Sequence, residues 1–351
     1  MKRILITGGA GFAGHHVVEH FIKNTDWEIV VFDRLSYASN GWNRLRDISV
    51  YEDPRLKTFT VDFVQPISEG VVQEIGEMDF ILHMGAETHV DNSIVDAEPF
   101  VMSNVLGTLR MLELARLQDH LRQFIYFSTD EVFGPAQRGQ NYKEWDRYDS
   151  TNPYAATKAG GEELCLAYAN THKVPVLITH TMNLYGERQH PEKFIPLVIR
   201  KVLADEPVTI HSDSTLQIPG SRFYIHCRNM ASAVQFLLER GDPDGYDGGY
   251  FQRDKVNIVG EQEVSNLELA EMIAEMLHKG LQFIPVDFHS SRPVHDLRYA
   301  LDGGKLEEMG WKTPVTCEQS LERTVRWMVE HKEWLYWDQK VLERGGSNGQ
   351  G

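Results

Sequence analysis

The feature that most narrows the fold is the run Gly8-Gly9-Ala10-Gly11-Phe12-Ala13-Gly14, set between an apolar stretch, Ile4-Leu5-Ile6, and a helix-length pattern reaching about Lys23. It reads as G-x-G-x-x-G from Gly9 or as G-x-x-G-x-x-G from Gly8. Glycines between a strand and a helix allow a tight turn, a close approach of backbone to a pyrophosphate, and close packing of helix on strand. The helix start then offers unpaired N–H groups to the anion. Alone, a glycine-rich turn is a weak sign. A second strand pattern, Glu28 to Phe32, ends at Asp33, and a carboxylate roughly twenty residues beyond the glycine loop suits the ribose hydroxyls of a dinucleotide. Arg34 would suit a 2′-phosphate, but Asp33 beside it would repel that group, which favours NAD over NADP.

Strand patterns recur at Leu56 to Val61, Phe80 to His83, Phe124 to Phe127 and Val174 to Thr179, with helical patterns between them, notably Phe100 to Leu117 and Tyr154 to His172. Such alternation predicts an α/β fold, a doubly wound parallel sheet of Rossmann type. Beyond Asn183 the pattern loosens, with prolines at 191, 196, 207 and 219 and short strand candidates at Pro207 to Ile210, Phe223 to Cys227 and Lys255 to Val259. Helical patterns return at Ser265 to Leu277 and Glu318 to Val329. The expected organisation is an NAD-binding domain with the catalytic residues over 1–182 and a smaller C-terminal α/β substrate lobe over 183–340. Segments of that lobe return to the first domain, and a disordered tail covers 341–351, where Gly345 to Gly351 lacks apolar residues.

A formal charge of -16 over 351 residues argues against nucleic acid or an acidic membrane as a partner, since both call for a basic face. A small anionic substrate held by a few local cations is compatible with it. Cys165, Cys227 and Cys317 are odd in number and have no metal-ligand spacing, which suggests neither a disulfide framework nor a metal site. The apolar run after Met1-Lys2-Arg3 is too short for a leader or a membrane span, so a soluble cytoplasmic protein is expected.

Two stretches carry candidate chemistry. Phe127-Ser128-Thr129-Asp130-Glu131-Val132-Phe133-Gly134 places two adjacent carboxylates where the Phe124 to Phe127 strand ends, which in open α/β sheets is the ligand-binding edge. An isolated Asp-Glu pair is more often a solvated loop, so the neighbouring motifs decide its meaning. Pro153-Tyr154-Ala155-Ala156-Thr157-Lys158 starts a helix with proline in its first turn, and Tyr154 and Lys158, four residues apart, share a face. An ammonium beside a phenol, together with a positively charged nicotinamide, favours phenolate, a base able to take a proton from a substrate hydroxyl.

From Ile4 to roughly Trp327 the chain resembles the extended short-chain dehydrogenase/reductase superfamily and, within it, the nucleotide-sugar 4,6-dehydratases that act on dTDP-glucose. The marks are Thr7 to Phe12, Asp33 to Asn40, Glu87-Thr88-His89-Val90-Asp91, Ser128 to Gly134, Asn152-Pro153-Tyr154, Pro191 to Pro196 and Arg292 to Ala300. The glycine loop and the Tyr-Lys pair are shared across the superfamily, and Asp130-Glu131 is the specific sign. Epimerases of the superfamily usually have small residues there, and related decarboxylases keep only the glutamate. The resemblance implies that Tyr154, with Lys158 and Thr129, oxidises C4 of the sugar. It makes Glu131 the base at C5 and Asp130 the acid for the C6 hydroxyl.

The resemblance also implies cofactor contacts from Gly8, Gly11, Phe12, Gly14, Asp33, Ser36, Asp62, Phe63, Met84, Gly85, Ala86 and Ser103 as well as Tyr154 and Lys158. Substrate contacts fall on Thr88, Thr129, Asn183, Lys193, Arg222, Asn257, Arg292 and His295, and a homodimer is expected by analogy. Departures from the pattern are Asn92 where arginine is usual, Phe133 in place of tyrosine, a longer Ser212 to Ser221 segment, and Phe223-Tyr224-Ile225-His226 after Arg222. They are expected mainly near the nucleotide and sugar pockets.

Overall fold

In the computed structural model the described residues are 1–240, 251–288 and 297–337. The expected disordered tail, Arg292 and His295 lie outside them. The first six strands are β1 (Arg3–Thr7), β2 (Glu28–Asp33), β3 (Leu56–Thr60), β4 (Phe80–His83), β5 (Gln123–Thr129) and β6 (Val176–Thr181). Together with the strand Arg253–Ile258 they form a seven-stranded parallel sheet, in the spatial order β3-β2-β1-β4-β5-β6-(253–258). The order reverses between β1 and β4, the crevice where open α/β sheets bind ligands at the carboxyl ends of their strands. β4 and β5 are buried at every residue, as a sheet covered on both faces requires.

Two compact units divide the chain: Met1–Met182, Cys227–Val259 and Tyr299–Pro314 in one, and Asn183–His226, Gly260–Arg298 and Val315–Gly351 in the other. The first holds the large sheet and a core that includes Leu5, Ile81, Phe124, Tyr126 and Ile178. The second packs Tyr185, Val198, Ile199, Leu269, Ile273 and Leu321 around its own small sheets. The strand Arg253–Ile258 belongs to the first unit, beside β6.

Where the sequence pattern predicted one helix over Phe100 to Leu117, the structure has a short helix Glu98–Phe100, a π-helical segment Val101–Leu106, and an α-helix Gly107–Arg116. A π segment inserts a residue into the helical ladder and rotates the face that the next turns present. Here it brings in Asn104, whose Oδ1 accepts the Glu87 N–H at 2.9 Å while its Nδ2 donates to the Glu87 carbonyl at 3.0 Å and to Thr157 Oγ1 at 3.0 Å. One buried amide thereby ties the exit of β4 to the helix Pro153–His172.

That 20-residue helix is clamped from below by Glu162, which is wholly buried. Its carboxylate accepts hydrogen bonds from Ser128 Oγ on β5 and from Tyr148 OH, and lies 3.2 Å from both His180 Nε2 on β6 and Lys255 Nζ on the strand Arg253–Ile258. Burial pushes the carboxyl upward, but His180, Lys255 and Ser128 outweigh it and hold it at about 2, below the ordinary 4.5. Because the folded value is depressed, the stabilisation is present above about pH 4.5 and is lost as pH falls toward 2. Glu162→Gln leaves Lys255 without its charge partner, and is expected to cost about 3–5 kcal/mol at neutral pH. Urea unfolding at pH 7 and pH 4 should show that the variant loses less stability than the wild type on acidification.

Candidate active site

The glycine loop is built by close contacts that admit no side chain. Gly8 has φ +72, and a Cβ there would meet Gly85 Cα at 2.9 Å, while a Cβ on Gly14 would fall 2.1 Å from the Gly8 carbonyl oxygen. The helix Phe12–Asn24 starts at Gly11 with no side-chain cap, so its first-turn N–H groups suit an anion. Asp33 Oδ2 accepts the Ala10 N–H at 3.0 Å and Oδ1 accepts the Leu35 N–H at 2.8 Å. Burial raises this carboxyl above its ordinary value, against those two bonds and the charges of Arg44 and Arg34. Arg34 forms an ion pair with Glu87, which neutralises the cation that a 2′-phosphate would need. An uncapped helix start, a glycine cradle and a buried carboxylate together fit a dinucleotide without that phosphate.

Sequence reasoning missed Arg44, which is fully buried. Its Nη1 donates to the carbonyls of Ala38 and Ser39, both at 2.8 Å, and of Ala10 at 3.3 Å, pinning the loop after Asp33 to the glycine loop. In that loop the Ser36 carbonyl accepts from Ser39. Asp62 Oδ1 accepts the Val64 N–H at 3.1 Å, shaping its own turn. The Phe63 side chain is buried against Gly85 and Gly107 and sits edge-on to His83 at 5.3 Å, which leaves its backbone as the part that a cofactor would meet. Thr7 Oγ1 receives the Gly85 N–H at 2.9 Å and lies 2.8 Å from His83 Nδ1, so β1 positions the Met84 to Ala86 turn. Ser103 is buried in the π-helical segment and Thr88 is exposed after β4.

β5 runs through Ser128 and Thr129, and the two acids begin a single 3-10 turn, Asp130–Phe133. Thr129 starts that turn: its hydroxyl accepts the Glu131 N–H at 3.3 Å and donates to Asp130 Oδ1 at 2.9 Å. Asn152 starts the helix Pro153–His172, its Oδ1 accepting the Ala155 N–H at 2.9 Å while its Nδ2 donates to Glu131 Oε2 at 2.9 Å. Tyr154 and Lys158 follow on this helix, both nearly buried. Burial raises the Tyr154 phenol well above its ordinary value, the Glu131 and Asp130 charges raise it further, and a hydrogen bond to Thr129 works the other way. Burial lowers Lys158 to about 8, opposed chiefly by Glu162, and its Nζ lies 4.2 Å from the Tyr126 ring centroid. Within the protein alone, therefore, burial outweighs the phenolate-favouring effect expected from Lys158.

Several other expected site residues have partners within the fold. Asn257 Nδ2 donates to the Tyr142 and Asp302 carbonyls at 3.1 and 3.0 Å, and its Oδ1 is 2.9 Å from His180 Nδ1, so the whole amide is used in a buried network. In the second unit, Arg222 Nη1 donates to the Ser221 and Leu297 carbonyls, Lys193 precedes the helix Phe194–Leu203, and Asn183 opens a short strand paired with Arg222's strand. The altered residues Tyr224, Ile225 and His226 are buried: Tyr224 OH donates to Asn266 Oδ1, and His226 Nε2 is 3.1 Å from Glu187. Phe133 is fully buried, stacked on Tyr142 and edge-on to Tyr148, where a tyrosine hydroxyl would need its own partner.

Residues 5–324 match the family described as GDP-mannose 4,6 dehydratase. The chain is 34% identical over 336 residues to a trifunctional UDP-glucose 4,6-dehydratase/UDP-4-keto-6-deoxy-D-glucose 3,5-epimerase/UDP-4-keto-L-rhamnose-reductase of Arabidopsis thaliana, covering 95% of this chain and 48% of that protein. It thus spans about half the length of that relative. A dTDP-glucose 4,6-dehydratase of Neisseria meningitidis serogroup B is 32% identical, with 95% of each chain covered. Among solved structures, a dTDP-glucose 4,6-dehydratase of Streptomyces venezuelae with NAD bound superposes with a TM-score of 0.80 at 33% identity, covering 95% of this chain and 98% of that one. With the match running through both acids, the Tyr-Lys pair and the glycine loop, the chain belongs to the GDP-mannose 4,6-dehydratase family.

Proposed function

We propose that the protein is an NAD-dependent hydro-lyase that converts a nucleotide-linked hexose into its 4-keto-6-deoxy form, with dTDP-glucose as the first candidate and UDP-glucose as the second. The observation that carries this reading is the pair Asp130 and Glu131 on the turn that ends β5, with both charges acting on the Tyr154 hydroxyl. A 4-epimerase or a decarboxylase of the same superfamily has no need of both carboxyls. A non-catalytic NAD-binding protein has no need of them, nor of Tyr154 and Lys158. The names of the relatives support dTDP- and UDP-glucose over other sugars.

In this reading the glycine loop and the start of the helix Phe12–Asn24 hold the pyrophosphate and Asp33 holds a ribose. Bound NAD supplies the hydride acceptor and donor, and its positive nicotinamide adds the pull towards phenolate that Tyr154 lacks in the protein alone. Tyr154 takes the proton of the C4 hydroxyl, which Thr129 holds, and Lys158 lies one helical turn away. A ketone at C4 acidifies C5, so Glu131 removes that proton while Asp130, in its protonated form, gives its proton to the departing C6 hydroxyl; hydride returned to C6 and the proton returned to C5 from Glu131 then give the 4-keto-6-deoxy sugar. Two carboxyls in different surroundings can divide these roles: Asp130 is buried, and Glu131 is partly exposed.

Incubation with NAD+ and dTDP-, UDP-, CDP- and GDP-linked hexoses, followed by mass spectrometry, is expected to show loss of one water from dTDP- or UDP-glucose. Water loss from none of the panel would overturn the reading, and inversion at C4 with unchanged mass would establish the epimerase.

A homodimer is also proposed. Ile94, Val95, Val101 and Met102 are exposed at 45%, 88%, 47% and 38% over one short stretch of chain, an apolar surface that a second copy would cover. Light scattering after size exclusion should give twice the chain mass, and a monomer would refute the proposal.

A further inference from the structure

We infer that Asn152 is a positioning residue for the elimination step: its amide N–H holds the Glu131 carboxylate in the orientation from which that group reaches the C5 proton. The inference rests on the dehydratase reading above.

Asn152 is nearly buried, with extended backbone angles (φ -142, ψ 161), and Pro153 comes next in the first turn of the helix. Starting a helix requires only a side-chain oxygen, which Ser, Thr or Asp supplies as well. The Nδ2 donor is additional, and it is spent on Glu131 Oε2 at 2.9 Å. The geometry fixes which way the amide points. Turning it over would set NH2 against the Ala155 N–H and oxygen against the carboxylate, replacing two hydrogen bonds by two repulsions.

Glu131 is thereby held at both ends, its N–H by Thr129 Oγ1 and its carboxylate by Asn152. A glutamate side chain otherwise carries about 1.5–2 kcal/mol of rotamer freedom, and a base acts well only from a fixed direction. The Asn152 side chain sets the first turn of the helix carrying Tyr154, so the two proton-accepting groups of the reaction are registered to each other through one residue. Oxidation at C4 uses Tyr154 and Thr129, and the Glu131 carboxylate bears on it only through its charge, which Asn152→Ser leaves in place. Loss of the Asn152 donor should therefore separate the two steps.

Asn152→Asp is isosteric and keeps the capping oxygen, but it sets a second carboxylate against Glu131 and should melt below the wild type. It replaces the donor facing Glu131 by an acceptor. Asn152→Ser keeps the cap without charge and without the donor. With dTDP-glucose and, in parallel, UDP-glucose, Asn152→Ser should melt close to the wild type and oxidise C4 within about threefold of it in a single turnover, while elimination falls about 10- to 100-fold in both variants. The split should appear as a build-up of NADH absorbance and slower uptake of solvent deuterium at C5, the pattern also expected of Glu131→Gln. Elimination at the wild-type rate in both variants would overturn the inference. So would equal loss of oxidation and elimination in both, which would make Asn152 a helix cap only. A wild type inactive on both sugars would instead overturn the dehydratase reading, and the inference with it.

Discussion

The first unit depends on one buried carboxylate. Glu162 has no access to water, and its charge is tolerated because Ser128, Tyr148, His180 and Lys255 all turn polar atoms toward it. These partners come from β5, the segment before the Pro153–His172 helix, β6, and the strand Arg253–Ile258. Four pieces of chain distant in sequence are thus locked to one point. Ser128 immediately precedes Thr129, and Glu162 lies one helical turn beyond Lys158. The clamp therefore fixes the strand that presents the acids relative to the helix that presents the Tyr-Lys pair. It also opposes the burial that lowers the Lys158 ammonium.

Above this clamp the chemistry is arranged by short local devices. Thr129 ends β5 and turns the chain at once into a 3-10 turn, so two consecutive residues on a strand end reach different surroundings. Asn152 and Asn104 each use one amide for two purposes, capping or lining a helix while holding another segment. Asp33 likewise shapes the glycine loop with the carboxylate that would meet a ribose. Tyr154 is placed where burial and two carboxylates all resist phenolate, which makes its activation conditional on positive charge arriving with the cofactor.

The parts of the site legible in the sequence are those written in local spacing. The glycine loop, Asp33 at the end of β2, and Tyr154 with Lys158 on one helix face each arise from residues close together, as does the alternation that gives the parallel sheet. What escaped depends on pairs far apart in the chain. Arg44 reaches back to Ala10, Asn104 reaches Thr157, and Glu162 reaches Lys255, and no periodicity marks such a residue as buried and polar. Asn152 was visible as part of a motif, but its second hydrogen bond was not. The spacing likewise does not show that the side chains of Phe63, Asn257 and Tyr224 to His226 are buried in the interior. The π-helical segment at Val101–Leu106 leaves no trace in an amphipathic pattern that it shifts by only one residue.

The central claim is that a single site oxidises C4, eliminates water across C5 and C6, and delivers the same hydride to C6. Following the label of C4-deuterated dTDP-glucose or UDP-glucose by NMR tests this most directly. The account predicts that deuterium leaves C4 and appears at C6 of a 4-keto-6-deoxy product, with none released into free NADH. Deuterium retained at C4 of a recovered sugar nucleotide, or lost to the free NADH pool, would contradict it.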